Sequence, residues 1–149
     1  MKKLTRREMC AGLPAFAAMT SVAQEQTAAP DALTQARVYT LDQILPRKMA
    51  NGGQSRDMLH GALPTGEVIG VHESEQPAGA TPNPAHTIQH TEVIVIIQGT
   101  VTFEHDGKSE KAGPGDILYV AKGTLHQLKN TGQDTAKYCV VQIGGDTRK

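Results

Sequence analysis

No tryptophan occurs in this 149-residue chain, and only three tyrosines and two phenylalanines do. That scarcity removes the aromatic platforms on which unpaired bases stack, and nucleic acid is not expected as a partner. It also leaves the core to be built from Val, Ile and Leu. An excess of charge of either sign is missing too: 15 Lys and Arg offset 15 Asp and Glu. Four of the basic residues, Lys2, Lys3, Arg6 and Arg7, crowd the extreme N-terminus, and beyond residue 23 there are 11 basic against 14 acidic side chains. No basic footprint remains there for DNA, RNA or an anionic membrane surface. No apolar run approaches the roughly 20 residues that a membrane-spanning helix needs. Turn formers, by contrast, are plentiful. Fifteen Gly and eight Pro favour tight turns over long helices and lean toward β structure.

The first 23 residues read as an export signal. MKKLTRREMC is a positively charged opening, AGLPAFAAMTSVA is modestly apolar, and Ser21 and Ala23 offer a small-residue cleavage site before Gln24. Arg6-Arg7 after Thr5 resembles the twin-arginine signal that carries folded proteins, with an ordinary secretory signal as the alternative. The protein is therefore expected in the periplasm or outside the cell, with no membrane contact after cleavage. Arg7-Glu8-Met9 ahead of Cys10 lacks the apolar and small residues of a lipidation signal. Removal of this segment leaves Cys139 alone, so no intrachain disulfide can form and the fold must rest on its core. Cys139 sits in the apolar run AKYCVVQI and is expected to be a buried thiol.

Residues 24–36 are rich in Ala, Thr, Gln and Pro without periodicity and are expected to form a flexible leader. One domain over 37–145 follows. ARVYTLDQIL is expected to give a short first strand, and Pro46 to Met58 a polar loop. From Glu67 to Ile143 the pattern is seven or eight short strands between turns, the mark of a β-barrel or sandwich. HTEVIVII is the strongest β-branched run, and Asp106-Gly107 is a hairpin turn.

The chemistry gathers in His86-Thr87-Ile88-Gln89-His90-Thr91-Glu92. Strand alternation puts residues 86, 88, 90 and 92 on one face, and His126 arrives from a later strand. Imidazole nitrogens with a carboxylate make a mixed first shell for Zn, Fe, Mn, Ni or Cu, although the same residues also suit a surface or a satisfied polar pair. His72 and His60 are secondary candidates, with His72 expected at the surface. His105 is expected to face solvent at its hairpin. The Gly113-Pro114-Gly115-Asp116 turn is too poor in glycine to cradle a nucleotide phosphate. Asn130 is expected to bond backbone and hold the strand that delivers His126.

These residues resemble the two motifs of the cupin superfamily, G-x5-H-x-H-x3-4-E-x6-G and G-x5-P-x-G-x2-H-x3-N. His86, Glu92 and Gly99 fit the first, with Gly79 one place from its glycine. Gly115, Gly123, His126 and Asn130 fit the second, with Ala121 in place of proline. The resemblance covers about Glu67 to Ile143. It implies an all-β, double-stranded β-helix of the jelly-roll type, often a homodimer, whose metal is held by three histidines and a glutamate. His86, Glu92 and His126 fall on three of those ligand positions and Ile88 on the fourth, which it cannot serve. His90, two residues on, is the candidate substitute.

Three readings of the site follow: a divalent transition metal on His86, His90, Glu92 and His126; a more open site with three ligands; or a decayed one in which Ile88 caps an apolar pocket lined also by Ile94 and Val120. The corresponding functions are a metal-dependent oxidoreductase or lyase acting on a small organic molecule, with Glu92 as a base where it is not a ligand, or a non-catalytic module that binds a small ligand or the metal itself.

Overall fold

Residues 31–145 are described by a computed structural model. The expected signal at 1–23, the leader as far as residue 30 and the last four residues lie outside that range. Where the rest of the leader was expected, the chain is tied to a sheet edge. Ala32 bridges Ala62, Leu33 N–H donates to Ala62 O at 2.8 Å, and Ala62 N–H donates to Asp31 O at 2.8 Å.

Two expectations shift at this end of the domain. The first strand does not form in ARVYTLDQIL. That stretch holds a single 3-10 turn at Leu41–Gln43, and Val38 and Leu45 point to solvent, so its apolar residues have no sheet to cover. The polar stretch expected as loop instead contributes β1 (Arg47–Lys48) and the start of β2 (Gln54–Ala62). Its polarity suits the position. Arg56 reaches Glu73 at 2.9 Å and Glu75 at 3.2 Å across the strand pair, and Gln54 donates to Glu75 at 2.7 Å. Such a strand is held by cross-strand polar pairs rather than by apolar alternation.

The remaining strands follow the anticipated pattern except at Lys108–Ala112, where KSEKAGPGD reads as a turn but its first five residues pair with Val101–His105. Seven of them, β3 (Val68–Gln76), β4 (Thr91–Gln98), β5 (Val101–His105), β6 (Lys108–Ala112), β7 (Ile117–Val120), β8 (His126–Asn130) and β9 (Ala136–Ile143), occupy the segment from residue 68 to 143. They form two sheets, six-stranded in the order β1-β2-β3-β9-β4-β7 and three-stranded in the order β6-β5-β8. This is the all-β double-stranded β-helix of the jelly-roll class. The β5–β6 turn is a two-residue hairpin at Asp106 (φ 46°) and Gly107 (φ 74°), and two positive φ values match the right-handed twist of the flanking strands.

Alternation sets the core. Ile94 and Ile96 of β4, Leu118 and Val120 of β7, Val101 and Phe103 of β5 and Ala136, Tyr138 and Val140 of β9 are buried together with Ile88. Phe103 and Tyr138 are the aromatic members, so the core is aliphatic as the composition required. The other face of the large sheet carries Cys139, half-buried rather than buried. Burial raises its thiol pKa, and Glu73 across the strand pair adds to the effect, which keeps the thiol protonated and unreactive.

Gly99 closes the turn between β4 and β5 at φ +81°, and a Cβ there would stand 2.8 Å from Ala136 Cα and 3.0 Å from Thr135 O. Gly115 has a similar φ of +90° but open space around it. Gly99→Ala is therefore expected to cost about 2 kcal/mol or more, and Gly115→Ala about 1 kcal/mol. Urea unfolding of the two variants checks this, and equal losses would count against the contact with β9.

Candidate metal-binding cleft

The two histidines on the motif positions are joined through their backbones. His86, in the loop before β4, and His126, at the start of β8, exchange N–H···O bonds of 3.0 Å in each direction. Their rings stand 4.7 Å apart, centre to centre. Each ring is oriented in the same way. His86 Nδ1 lies 3.0 Å from Pro84 O and His126 Nδ1 lies 3.1 Å from Thr124 O. A carbonyl only accepts, so Nδ1 donates in both cases and a neutral ring keeps its lone pair on Nε2. Fixing the tautomer by a backbone carbonyl is how proteins prepare histidines for a metal.

The alternation predicted for 86, 88, 90 and 92 holds in part. Regular strand begins only at Thr91, yet Ile88, His90 and Glu92 are all buried, whereas His86 remains at the exposed rim. Glu92 Oε1 accepts hydrogen bonds from His90 Nε2 at 2.9 Å and from Gln142 Nε2 at 3.2 Å. Its other oxygen, Oε2, stands 3.9 Å from His126 Nε2. Burial would raise the Glu92 pKa, but the bonds from His90 and Gln142 outweigh it and hold the carboxyl below its usual range. Glu92 is thus an anion suited to a cation, and a weak proton acceptor. For His126, burial dominates and lowers the pKa, which keeps the ring neutral and its Nε2 available.

These residues line a cleft of about 300 Å³. Ile88 and Ile94 are in its wall, as expected, but Val120 is packed in the core instead. His72, expected at the surface, is 5% exposed and lines the cleft. Alternation along β3 explains it, because His72, Ser74 and Gln76 share the inner face. Tyr138 and Gln142 come from the inner face of β9 by the same rule. Tyr138 bonds Ser74, and burial pushes its hydroxyl up to about 12. Arg47 and Ser55 also line the cleft, and these had no signal because their strands read as loop. His105 lies apart from the cleft, half-buried on Phe103 and bonded to Glu110 at 2.7 Å. His60 lies apart from it too. Asn130 does hold its strand, donating to Gln76 O and Asp134 O at 2.8 Å each.

In kind, the donors fit a divalent transition metal: two imidazoles with Nε2 lone pairs and one carboxylate, a set with room for water or substrate. In placement they are not closed around one point. Among the described residues no three His, Cys, Asp or Glu side chains stand together tightly enough to hold an ion. His90 Nε2 is engaged by Glu92, and Ile88 packs with the core.

Comparison with known proteins agrees with this architecture. Residues 71–142 match the family model described as "Cupin domain". Among solved structures, a predicted oxalate decarboxylase from Thermotoga maritima is 20% identical, with a TM-score of 0.61 over 72% of this chain and 98% of that one. An RmlC-like cupin from Shewanella frigidimarina is 13% identical, with a TM-score of 0.63 over 76% and 95%. The polyketide cyclase RemF from Streptomyces resistomycificus is 14% identical, with a TM-score of 0.58 over 77% and 87%. At such identities the likeness is one of fold.

Glu92 and His126 act on stability in the same direction. The unfolded chain binds protons more readily than the folded one at both His126 and Glu92, so each removes stability as pH falls. The loss through His126 begins near its ordinary pKa of about 6.5, and that through Glu92 near about 4.3. His105, raised by Glu110 and Asp106, works the other way, so variants must be compared with the parent. Without metal, His126→Gln is expected to flatten the fall in melting temperature between pH 7 and 5, and Glu92→Gln the fall below pH 5. Parallel curves for parent and variants would contradict these shifts.

Proposed function

We propose that the chain, whose residues 71–142 match the cupin domain model, is an exported cupin that holds a divalent transition metal through His86, Glu92 and His126. It acts as a metal-dependent oxidoreductase or lyase on a small organic molecule. The observation that carries the reading is the matched pair of histidines, each with Nδ1 bound to the carbonyl two residues before it and Nε2 left free. A metal there supplies Lewis acidity. His90 and Gln142 keep Glu92 ionised and aimed, Tyr138 stays a neutral donor, and Ile88, Ile94 and Val140 give the cleft an apolar side for a carbon skeleton. Descriptions such as polyketide cyclase and predicted oxalate decarboxylase put small organic molecules on the same fold. Export is supported by Lys2, Lys3, Arg6 and Arg7 ahead of an apolar stretch.

A second reading, a non-catalytic module with a decayed metal site, is favoured by the burial of Ile88 at a ligand position and by the open arrangement of the donors. Metal content separates the two. After anaerobic purification with Fe, Mn, Zn and Ni on offer, the metal reading expects one transition metal per chain, and persistent sub-stoichiometry would favour the decayed site.

His126→Ala is expected to abolish metal uptake and the rise in melting temperature that metal brings. His90→Ala removes the group that holds Glu92 and should weaken metal by about 10-fold. Ile88→His should tighten binding if the cleft admits a fourth ligand; lower stability with no gain in affinity would mark Ile88 as packing. Replacing Arg6 and Arg7 together by Lys should stop export, as cell fractionation would show, and unchanged export would leave an ordinary secretory signal.

A further inference from the structure

We propose that Arg47 and Ser55, on the β1–β2 wall of the cleft, form a carboxylate-binding subsite, and that the molecule this protein takes up is a small organic acid. This rests on the reading of the cleft as a small-molecule site. Ser55 is 3% exposed and lines the cleft. Its Oγ is the one buried side-chain polar atom among the described residues that has no hydrogen-bond partner. Folded proteins seldom leave such an atom unpaired, because its lost hydration is not returned. Other buried polar groups of the cleft are paired: Glu92 with His90 and Gln142, and Tyr138 with Ser74. Ser55 is a lining residue of the cleft whose hydroxyl stays unpaired.

Arg47 supplies the charge. It is the register partner of Ser55 across β1 and β2, and directly paired residues project from the same face of a sheet. Among the described residues no other Lys or Arg lines the cleft. Arg56, Lys129 and Lys137 each have a carboxylate within 4 Å, whereas Arg47 has none among the described residues. A guanidinium fork beside a hydroxyl matches the two oxygens of a carboxylate. The apolar wall at Ile88, Ile94, Val140 and Met49 then accommodates carbon. A phosphate would leave that wall uncovered and would find a single cation, and a neutral ligand would give Arg47 nothing to pair with.

Calorimetric titration of the full-length protein, both EDTA-treated and metal-loaded, tests this with propionate, succinate, their amides and inorganic phosphate. The carboxylates should bind at least 10-fold more tightly than the amides and more tightly than phosphate. Arg47→Ala should weaken succinate at least 10-fold, and Arg47→Lys less. Ser55→Ala should weaken it several-fold while raising the melting temperature of the ligand-free protein by about a few degrees, because an unpaired hydroxyl is removed. Equal binding of acids and amides, tighter binding of phosphate, or unchanged succinate affinity in Arg47→Ala would overturn the proposal. A lower melting temperature in Ser55→Ala would show that its hydroxyl is structural. Failure of the metal reading would look different: no metal taken up, with succinate still bound through Arg47. Metal uptake without Arg47-dependent binding of succinate would leave that reading standing and this one refuted.

Discussion

β9, the last strand of the domain, lies in the middle of the large sheet, paired with β3 on one side and β4 on the other. A sheet with its final strand at the centre cannot be completed locally. Val71 and Val93, for example, flank Val141 because both pair with it. The same insertion brings Tyr138, Val140 and Gln142 to the inner face opposite β8 and the loop before β4. Without β9, Glu92 would lose Gln142, Ser74 would lose Tyr138, and the cleft would have no floor. The requirement at Gly99 follows as well, because the turn after β4 must pass against Ala136, the first residue of β9.

The second constraint is electrostatic. Glu92 is buried, and a buried carboxylate is tolerated only where hydrogen bonds replace its hydration. His90 and Gln142 supply two such bonds to Oε1, leaving Oε2 toward His126. The arrangement divides the histidines by role. His86 and His126, each turned by a backbone carbonyl, present Nε2, whereas His90 directs Nε2 to the carboxylate. Polar groups thus line one part of the cleft and aliphatic side chains another, which is the common design of a site for small molecules.

Six of the seven strands from β3 to β9 were legible because each is a short β-branched or alternating run closed by Gly, Pro, Asn or Asp; β6, polar and exposed, reads as turn. The hairpin at Asp106-Gly107 and the bonding role of Asn130 were legible for similar local reasons. β1 and β2 were not. Their residues carry no apolar alternation, because Arg56 and Gln54 are stabilised by Glu73 and Glu75 on a strand about 20 residues away. For the same reason Arg47 and Ser55 could not be picked out, whereas His72 lies on a legible strand and its inward turn follows from the alternation along β3.

The sequence by itself determined the composition of the core, the positions of the turns and the identity of the donors His86, His90, Glu92 and His126, since these depend on residue type and on the two-residue period of a strand. Only the tertiary structure decided what each donor does. Residues 86 and 126 become neighbours through a backbone bridge across 40 positions of sequence, and the tautomer of each ring is fixed by the carbonyl that the chain happens to fold beneath it. His90 and Ile88 lie on the same face as Glu92, yet one bonds the carboxylate and the other packs with the core, because hydrogen-bond reach and available volume are set by β7, β8 and β9 together and by no local pattern.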